Sequence, residues 1–436
     1  MKALLCSFLL LVSVSAFPQA PRFSHIVMVV QENRTPDNLF GSNPTFEPGV
    51  DIGTSGLNSK NQTVPITAGP FVGCYDLGHT HASFVKEYVG GKMNGFDKVP
   101  VHSSKGCALG TTGPAYRYVD NSTGSVQPYF DLAMQYGFAN RMFQTNQGPS
   151  FPAHQFLVSG TSSLTDTNPL FAAENPHDGS KNAGCGAPPG SWVYTINSKG
   201  QYGTAFPCFQ RSSIMDLLDA AKLTWRYYSP NPQVLWDAPA ALTSYYQSTN
   251  VMLKPSQVLT DIKACNLADV VWVTPTGLAS DHPSGSNGTG PAWVSSIVNA
   301  IGSNPACPNG EVYWKNTAIL ITWDDWGGWY DHVAPPPIPA TGWGQSYVYG
   351  FRVPLLVVSA YTPAGYVDDA THDFGSMLRF AESNFGLSLI GTGYFADAYA
   401  DDLSAFFTLS TPRKFVQIQA PKVNFAKQPL TDPDTD

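Results

Sequence analysis

Continuous apolar runs alternate along the chain with stretches in which apolar residues recur at helical spacing. The runs are rich in β-branched residues and have the length of strands buried on both faces of a parallel sheet. They occupy residues 26–30, 224–228, 269–273, 317–322 and 354–358. Helical spacing predicts helices at 129–136, 151–158, 213–221, 256–264, 292–301 and 374–385. This alternation predicts an α/β protein, a three-layer α/β/α sandwich around a mainly parallel sheet.

The two ends of the chain depart from this alternation. Residues 1–16 combine an early lysine with an apolar run that ends in small residues, a pattern typical of a secretory signal peptide. Pro18 and Gln19 end the run, before the roughly 20 apolar residues that a transmembrane anchor needs. From residue 411 the chain turns polar and proline-rich, which predicts a C-terminal tail over 411–436. No repeat or linker divides residues 17–410, where we expect a single domain.

The cysteines fit a secreted or periplasmic protein. Cys6 lies in the predicted signal peptide, and an even set of six remains. An oxidising compartment would join such cysteines in disulfides. Closeness in sequence favours Cys185 with Cys208 and Cys265 with Cys307. The chain contains no C-x-x-C spacing, which argues against a zinc knuckle or a thioredoxin-like role.

Composition and charge limit the kinds of ligand. Hydrophobic residues make up 43% of the chain, enough for a large core. The formal net charge of −8 excludes the basic surface of a nucleic-acid-binding protein. A chain of this charge that binds phosphate compounds needs a local positive feature, such as a metal ion or a helix N-terminus.

Acidic residues follow two of the predicted strands. Glu32 and Asn33 come directly after the first strand, and Asp324 and Asp325 follow the strand at 317–322. Ligands of open α/β sheets bind at the carboxyl ends of the strands. Adjacent carboxylates at the end of a buried strand repel each other unless they share a cation. The alternative for the second pair is a solvated turn.

Histidines beside acids form a second group of polar residues. Each pair taken alone is typical of an ordinary surface or core histidine, but the repeated pairing indicates a functional cluster. The pairs are Asp76-x-x-His79-x-His81, Asp281-His282, Asp331-His332 and His372-Asp373.

A turn and a proline place Ser150 at or beside the start of the helix predicted at 151–158. Gly148 and Pro149 make the turn, and Pro152 suits the first turn of the helix. Ser150 is either a simple N-cap or a hydroxyl in the positive field of the helix terminus, where a phosphate is favoured. His154, four residues on, lies on the same helix face.

These segments together resemble the bacterial phosphoesterase family that contains secreted acid phosphatases and phosphatidylcholine-hydrolysing phospholipases C. The matching motifs spread over nearly the whole mature chain. They are Glu32-Asn33-Arg34, the segment 76–81 followed by Met93-Asn94-Gly95-Phe96, Gly148-Pro149-Ser150-x-Pro152, Asp281-His282-Pro283, the acidic strand end at 324–332, and His372 ahead of Leu378-Arg379-Phe380.

The resemblance implies an alkaline-phosphatase-like fold, in agreement with the α/β pattern. It also implies that Ser150 is the nucleophile, which forms a phosphoenzyme. The implied ligands of a divalent metal ion are Glu32, Asn33, Asp324 and Asp325. The histidines implied around the phosphoryl group, as proton donors or acceptors, are His79 or His81, His282, His332 and His372. The residues do not indicate which metal is bound, because oxygen ligands suit hard cations while imidazoles also suit zinc or iron.

Departures from the family pattern bear on the substrate. Trp326 stands where many members carry a histidine, Ser150 where phospholipases often carry threonine, and Ala153-His154 where Asn-Arg is common. These changes favour hydrolysis of small phosphate esters over the phospholipase C reaction on a phospholipid head group, which remains the alternative.

Two other functions are less well supported. A sulfatase needs an arginine two residues after the proline of its C/S-x-P-x-R segment, and His154 stands there instead. A secreted carbohydrate-binding protein could use the aromatic residues, 13% of the chain, but scattered aromatics are more often core. Oligomeric state is not indicated.

Overall fold

A computed structural model describes residues 23–107, 109, 113–177, 183–232, 235–339 and 347–431. The signal peptide predicted at 1–16 lies outside the described residues.

The strands are short except for two at the centre of the main sheet. In chain order they are β1 (His25–Gln31), β2 (Ser55–Leu57), β3 (Thr63–Pro65), β4 (Thr67–Gly69), β5 (Tyr75–Leu77), β6 (Val101–Ser103), β7 (Arg117–Val119), β8 (Gly137–Ala139), β9 (Ser163–Thr165), β10 (Asn168–Ala172), β11 (Val193–Asn197), β12 (Tyr202–Ala205), β13 (Trp225–Tyr228), β14 (Val251–Met252), β15 (Val270–Val273), β16 (Thr317–Trp323), β17 (Leu355–Ser359) and β18 (Tyr366–Asp368).

The helices include one at each stretch where helical spacing predicts one. In chain order they are α1 (Pro36–Phe40), α2 (His81–Tyr88), α3 (Gln127–Gln135), α4 (Ser150–Ser159), α5 (Ile214–Ala220), α6 (Gln257–Lys263), α7 (Gly290–Ser303), α8 (Tyr313–Asn316) and α9 (Phe374–Phe385).

The central sheet has eight strands in the order β14-β13-β15-β1-β16-β17-β8-β18. The first five strands in this order, β14, β13, β15, β1 and β16, run parallel to one another. Strand β17 runs antiparallel to both of its neighbours, β16 and β8. The helices pack in two groups, α3 with α6, α7 and α8, and α4 with α5 and α9. The predicted α/β sandwich around a mainly parallel sheet is therefore confirmed.

The pairing of β1 with β16 determines where the site lies. The two strands are fully buried and pair over their whole length, from His25 with Thr317 to Gln31 with Trp323. Because they are parallel and in register, the residues that follow them, Glu32 and Asp324, emerge side by side at one edge of the sheet.

Three disulfides join pairs of loops. They are Cys74–Cys107, Cys185–Cys208 and Cys265–Cys307. The last two are the pairs that closeness in sequence favours, and they are confirmed. Such bonds fit an oxidising compartment. Among the described residues, no helix has the length and apolar character required to cross a bilayer.

The C-terminal segment lies against the helices near α7. It is extended apart from one short turn at Phe425–Lys427. Ile418 is buried and exchanges hydrogen bonds with the Asn299 side chain of α7. The Phe425 ring packs edge-on against Trp293, with centroids 5.0 Å apart. A few apolar side chains thus attach a segment whose composition alone predicts a tail.

We expect Phe425→Ala to lower the free energy of unfolding by about 3 kcal/mol, as for a buried phenylalanine. Val416→Ala on the same segment, where the side chain is 41% exposed, should change it by less than about 0.5 kcal/mol. Urea unfolding of both variants measures the difference. Equal effects would mean that this segment does not pack on the domain in solution.

Candidate active site

Three buried carboxylates lie at the carboxyl ends of β1 and β16, and two of them contact the Ser150 hydroxyl. Glu32, Asp324 and Asp325 are all fully buried. The Ser150 Oγ lies 3.1 Å from Glu32 Oε2 and 3.3 Å from Asp325 Oδ2. The structure thus brings together Ser150 and the acidic residues that the sequence places far apart.

Ser150 is the first residue of α4, and Pro149 is the N-cap. The Ser150 hydroxyl makes no capping hydrogen bond and instead faces Glu32 and Asp325. The backbone amide of Phe151 donates to Asn175 Oδ1 at 3.0 Å, so another loop supplies a partner at this helix terminus. The simple capping role is therefore not the one that the structure gives to Ser150.

A close approach of two backbones holds Asn33 in the site. Asn33 has a left-handed backbone with φ of 61°, and Gly327 faces it with φ of 60°. A Cβ on Gly327 would lie 2.6 Å from the Asn33 carbonyl oxygen. A Cβ on Gly328 would lie 2.5 Å from the Leu77 Cβ, so this glycine admits the segment that carries His79. Both glycines are therefore required sterically.

His79 and His282 lie on the Asp325 side of the site. His79 Nδ1 donates to the Leu77 carbonyl at 2.8 Å, and its Nε2 lies 3.4 Å from Asn33 Nδ2. The rings of His79 and His282 are 6.3 Å apart between centroids. Burial and Asp324 raise the pKa of Asp325 well above its ordinary value, and the two imidazoles partly offset this rise.

Arg34 and Asp281 fix the loop that carries His282. The Arg34 Nε donates to the Asp281 carbonyl at 2.8 Å. The Asp281 carboxylate accepts hydrogen bonds from the Tyr129 hydroxyl at 2.7 Å and from the Trp323 indole at 2.9 Å. His282 Nε2 lies 3.3 Å from Asp76 Oδ2. His282 is thereby tied to the end of β16.

The electrostatics of the carboxylates call for a cation. Burial raises the pKa of Glu32 well above its ordinary value, and Asp324 and Asp325 raise it further. Two buried oxygen atoms, Asn33 Oδ1 and Asp324 Oδ2, have no hydrogen-bond partner among the described residues. Carboxylate and amide oxygens are ligands for divalent cations. Glu32, Asn33, Asp324 and Asp325 therefore fit the metal site that the resemblance implies.

His154 adjoins this cluster, although its position in the sequence indicates only that it shares a helix face with Ser150. Its Nε2 lies 3.4 Å from Glu32 Oε1 and 3.8 Å from Asp324 Oδ2. Burial lowers the pKa of His154 to about 4. The spacing of four residues from Ser150 was the signal that could have included it.

His81 lies beside the loop before Ser150. Its Nδ1 contacts the Tyr202 hydroxyl, and its Nε2 lies 3.2 Å from Gln147 Oε1. Its backbone amide donates to Glu174 at 3.1 Å. Burial raises the pKa of Glu174 to about 7, and no sequence motif marks that residue. The contacts of His81 suit support of the loop, so His79 is the better candidate of the pair.

His332 belongs to a different cluster. Its Nδ1 lies 2.9 Å from Asp37 Oδ2, and its Nε2 lies 2.9 Å from Asp51 Oδ1. Asp37 and Asp331 also bind the buried Arg352 guanidinium, at 3.2 and 2.7 Å. Carboxylates from other segments thus bind both ring nitrogens of His332. The position of His332 does not support the implied role at the phosphoryl group.

His372 also lies with other acids, ahead of α9. Its Nδ1 is 2.8 Å from Asp401 Oδ1, and its Nε2 is 3.1 Å from Asp368 Oδ1. Burial lowers the pKa of His372, but these hydrogen bonds outweigh it and raise the pKa to about 9. Its position does not support the implied role either, because the acids that hold its ring are Asp368 and Asp401, not the carboxylates around Ser150.

Trp326, where many family members carry histidine, packs against His79. The ring centroids are 6.2 Å apart in an edge-on arrangement. The Trp326 indole donates to the buried Glu87 carboxylate at 2.8 Å. The indole therefore forms part of the wall behind His79.

Comparison with known proteins identifies the family. The model of the Phosphoesterase family matches residues 23–388, most of the chain. The chain therefore belongs to the Phosphoesterase family.

Curated relatives of this chain are named as phospholipases C. The non-hemolytic phospholipase C of Pseudomonas aeruginosa is 25% identical over 324 residues, which cover 65% of this chain and 43% of that protein. The non-specific phospholipase C6 of Arabidopsis thaliana is 23% identical over 449 residues, covering 94% of this chain and 77% of that protein. The matched region thus spans less than half of the bacterial relative.

Among solved structures, the chain is similar to a protein of the alkaline phosphatase superfamily from Vibrio parahaemolyticus. The identity is 9% and the TM-score 0.38, over 88% of this chain and 70% of that one.

A charged His372 should make stability depend on pH. A raised histidine pKa stabilises the folded state fully below pH ~6.5, and this contribution is lost as the pH rises through about 9. We therefore expect the wild type to lose more unfolding free energy than His372→Gln between pH 6.5 and 9. Exposed His102→Gln is the control and should follow the wild type. Parallel losses in wild type and His372→Gln would show that His372 is neutral.

Proposed function

We propose that the protein hydrolyses phosphate esters through a phosphoserine formed on Ser150, with a divalent cation held by Glu32, Asn33, Asp324 and Asp325. The observation that supports this proposal most is the contact of the Ser150 hydroxyl with Glu32 and Asp325 at the start of α4. Membership of the Phosphoesterase family supports the reaction class.

The roles of the chain's residues follow from their positions. The Ser150 oxygen attacks phosphorus, its proton passes towards the carboxylates that it faces, and the bond from phosphorus to the ester oxygen breaks. Phosphoryl transfer depends mainly on positioning and charge neutralisation. A bound divalent cation would neutralise the carboxylates and polarise the phosphoryl oxygens. In the second step, water attacks phosphorus and the serine oxygen leaves.

His79 and His282 are the candidate proton donors. Both lie near Asp325, and both approach the site from loops rather than from the sheet. The departing ester oxygen needs a proton, and a protonated imidazole supplies it best below the ordinary histidine pKa of about 6.5. We therefore propose an acidic working pH.

Small phosphate monoesters are the proposed substrates, and a phospholipid head group is the second candidate. Ser150, His154 and Trp326 depart from the phospholipase pattern, which favours monoesters. The phospholipase C relatives, one of them aligned over 94% of this chain, favour the second candidate. The disulfides support a secreted or periplasmic location.

Ser150→Ala should lower the rate of phosphate ester hydrolysis by at least about 10³-fold, because it removes the nucleophile. Ser159→Ala, at the other end of the same helix and equally buried, should keep most of the activity. Assays with p-nitrophenyl phosphate and with phosphatidylcholine, from pH 4 to 9, measure the rates and separate the two substrate classes. Acid quenching should trap phosphate on the peptide that contains Ser150 in the wild type. A Ser150→Ala variant with more than a few per cent of the wild-type rate would disprove the proposal.

Asp324→Asn should lower metal content as well as rate, because it weakens a charged ligand. Asp131→Asn, on the outer part of α3, is the control. Elemental analysis after dialysis measures bound metal in both variants. Full occupancy in Asp324→Asn would remove Asp324 from the ligand set.

A further inference from the structure

The carboxylates of the site have a second side, which faces away from Ser150. Glu32 turns Oε2 towards the Ser150 hydroxyl and Oε1 towards His154 Nε2, 3.4 Å away. Asp324 Oδ2 lies 3.8 Å from the same nitrogen and has no hydrogen-bond partner among the described residues. One ligand atom from each of these three residues lies within 4.8 Å of the other two. All three side chains are fully buried.

The hydrogen bonds behind His154 indicate which ring nitrogen carries the proton. The Tyr227 hydroxyl donates to the Trp236 carbonyl at 2.5 Å, so its oxygen is left to accept. His154 Nδ1 lies 3.2 Å from that oxygen and is the donor to it. A neutral imidazole with its hydrogen on Nδ1 directs the lone pair of Nε2 at the two carboxylate oxygens. Metal-binding histidines are oriented in the same way, by a hydrogen bond from the other ring nitrogen.

Three electron-rich atoms directed at one another repel unless a cation or a proton lies between them. A proton on the Glu32 carboxyl could bond to His154 Nε2 or to Asp324, but not to both. A doubly protonated His154 is the other alternative, and it could donate to Glu32. It would supply one positive charge beside three buried carboxylates. It would also leave Asp324 Oδ2 at 3.8 Å, beyond a hydrogen bond. The orphaned Asp324 oxygen therefore favours a metal ion over a proton.

We propose that His154 Nε2, Glu32 Oε1 and Asp324 Oδ2 bind a divalent transition-metal ion, which gives the centre a nitrogen ligand beyond the oxygen set that the resemblance implies. Imidazole favours zinc and similar cations, whereas calcium and magnesium prefer oxygen. This inference rests on the proposed metal centre and adds its selectivity: the site binds zinc in preference to calcium because of His154. Glu32 links Ser150 to this ligand set, because its Oε2 faces the Ser150 hydroxyl and its Oε1 faces His154.

Zinc and calcium titrations of the chelator-treated full chain test this inference. We expect His154→Gln to weaken zinc binding at least about tenfold while calcium binding stays within about twofold of wild type. Exposed His102→Gln is the matched control and should leave both affinities unchanged. Zinc affinity in His154→Gln equal to wild type, an equal loss for both cations, or no zinc binding by the wild type would each overturn the proposal.

A second variant keeps the test valid if His154→Gln does not fold. Tyr227→Phe keeps the imidazole but removes the acceptor that orients it, so zinc affinity should fall severalfold with calcium affinity unchanged. Unchanged zinc affinity in Tyr227→Phe would then overturn the proposal. These titrations are independent of turnover. Zinc selectivity without hydrolysis would contradict the proposed function alone, and hydrolysis with no effect of His154→Gln would contradict this inference alone.

Discussion

The structure depends on the burial of three like-charged side chains at the end of two paired strands. Glu32, Asp324 and Asp325 lie together because β1 and β16 are parallel, adjacent and in register. Their mutual repulsion and their burial raise the free energy of the ionised cluster. The tight Asn33–Gly327 contact and the start of α4 then place an amide and a hydroxyl against the same group. Such a cluster is costly in a protein unless a cation offsets it.

Comparison with the other acidic clusters supports this interpretation. Asp37 and Asp331 surround the Arg352 guanidinium, and Asp368 and Asp401 bond to His372, whose pKa is raised. These clusters contain their own cation. Around Glu32 and Asp324, the ion-pair partner recorded among the described residues is the fully buried His154. Of these three groups, the one that most needs an external cation is therefore the one beside Ser150.

Much of this arrangement follows from local sequence. Periodicity predicts helices α3 to α7 and α9 and strands β1, β13, β15, β16 and β17, since buried elements leave strong patterns. Helices α1, α2 and α8 lie outside those predictions. The carboxyl ends of β1 and β16 mark Glu32 and Asp324 as neighbours. The partners of the histidines are harder to predict, because the acid beside a histidine in the sequence is not the acid that binds it in the folded protein. His332 binds Asp37 and Asp51 from distant segments, and His372 binds Asp368 and Asp401. Those partners depend on how loops pack, which local spacing does not encode.

The most direct test is a crystal structure of the protein grown with zinc or manganese and measured at the absorption edge of the metal. The account predicts an anomalous peak among Glu32, Asn33, Asp324 and Asp325, at a distance of roughly 2.0–2.6 Å from their ligating oxygen atoms. A saturated crystal with no peak there, and with the three carboxylates still buried together, would contradict it.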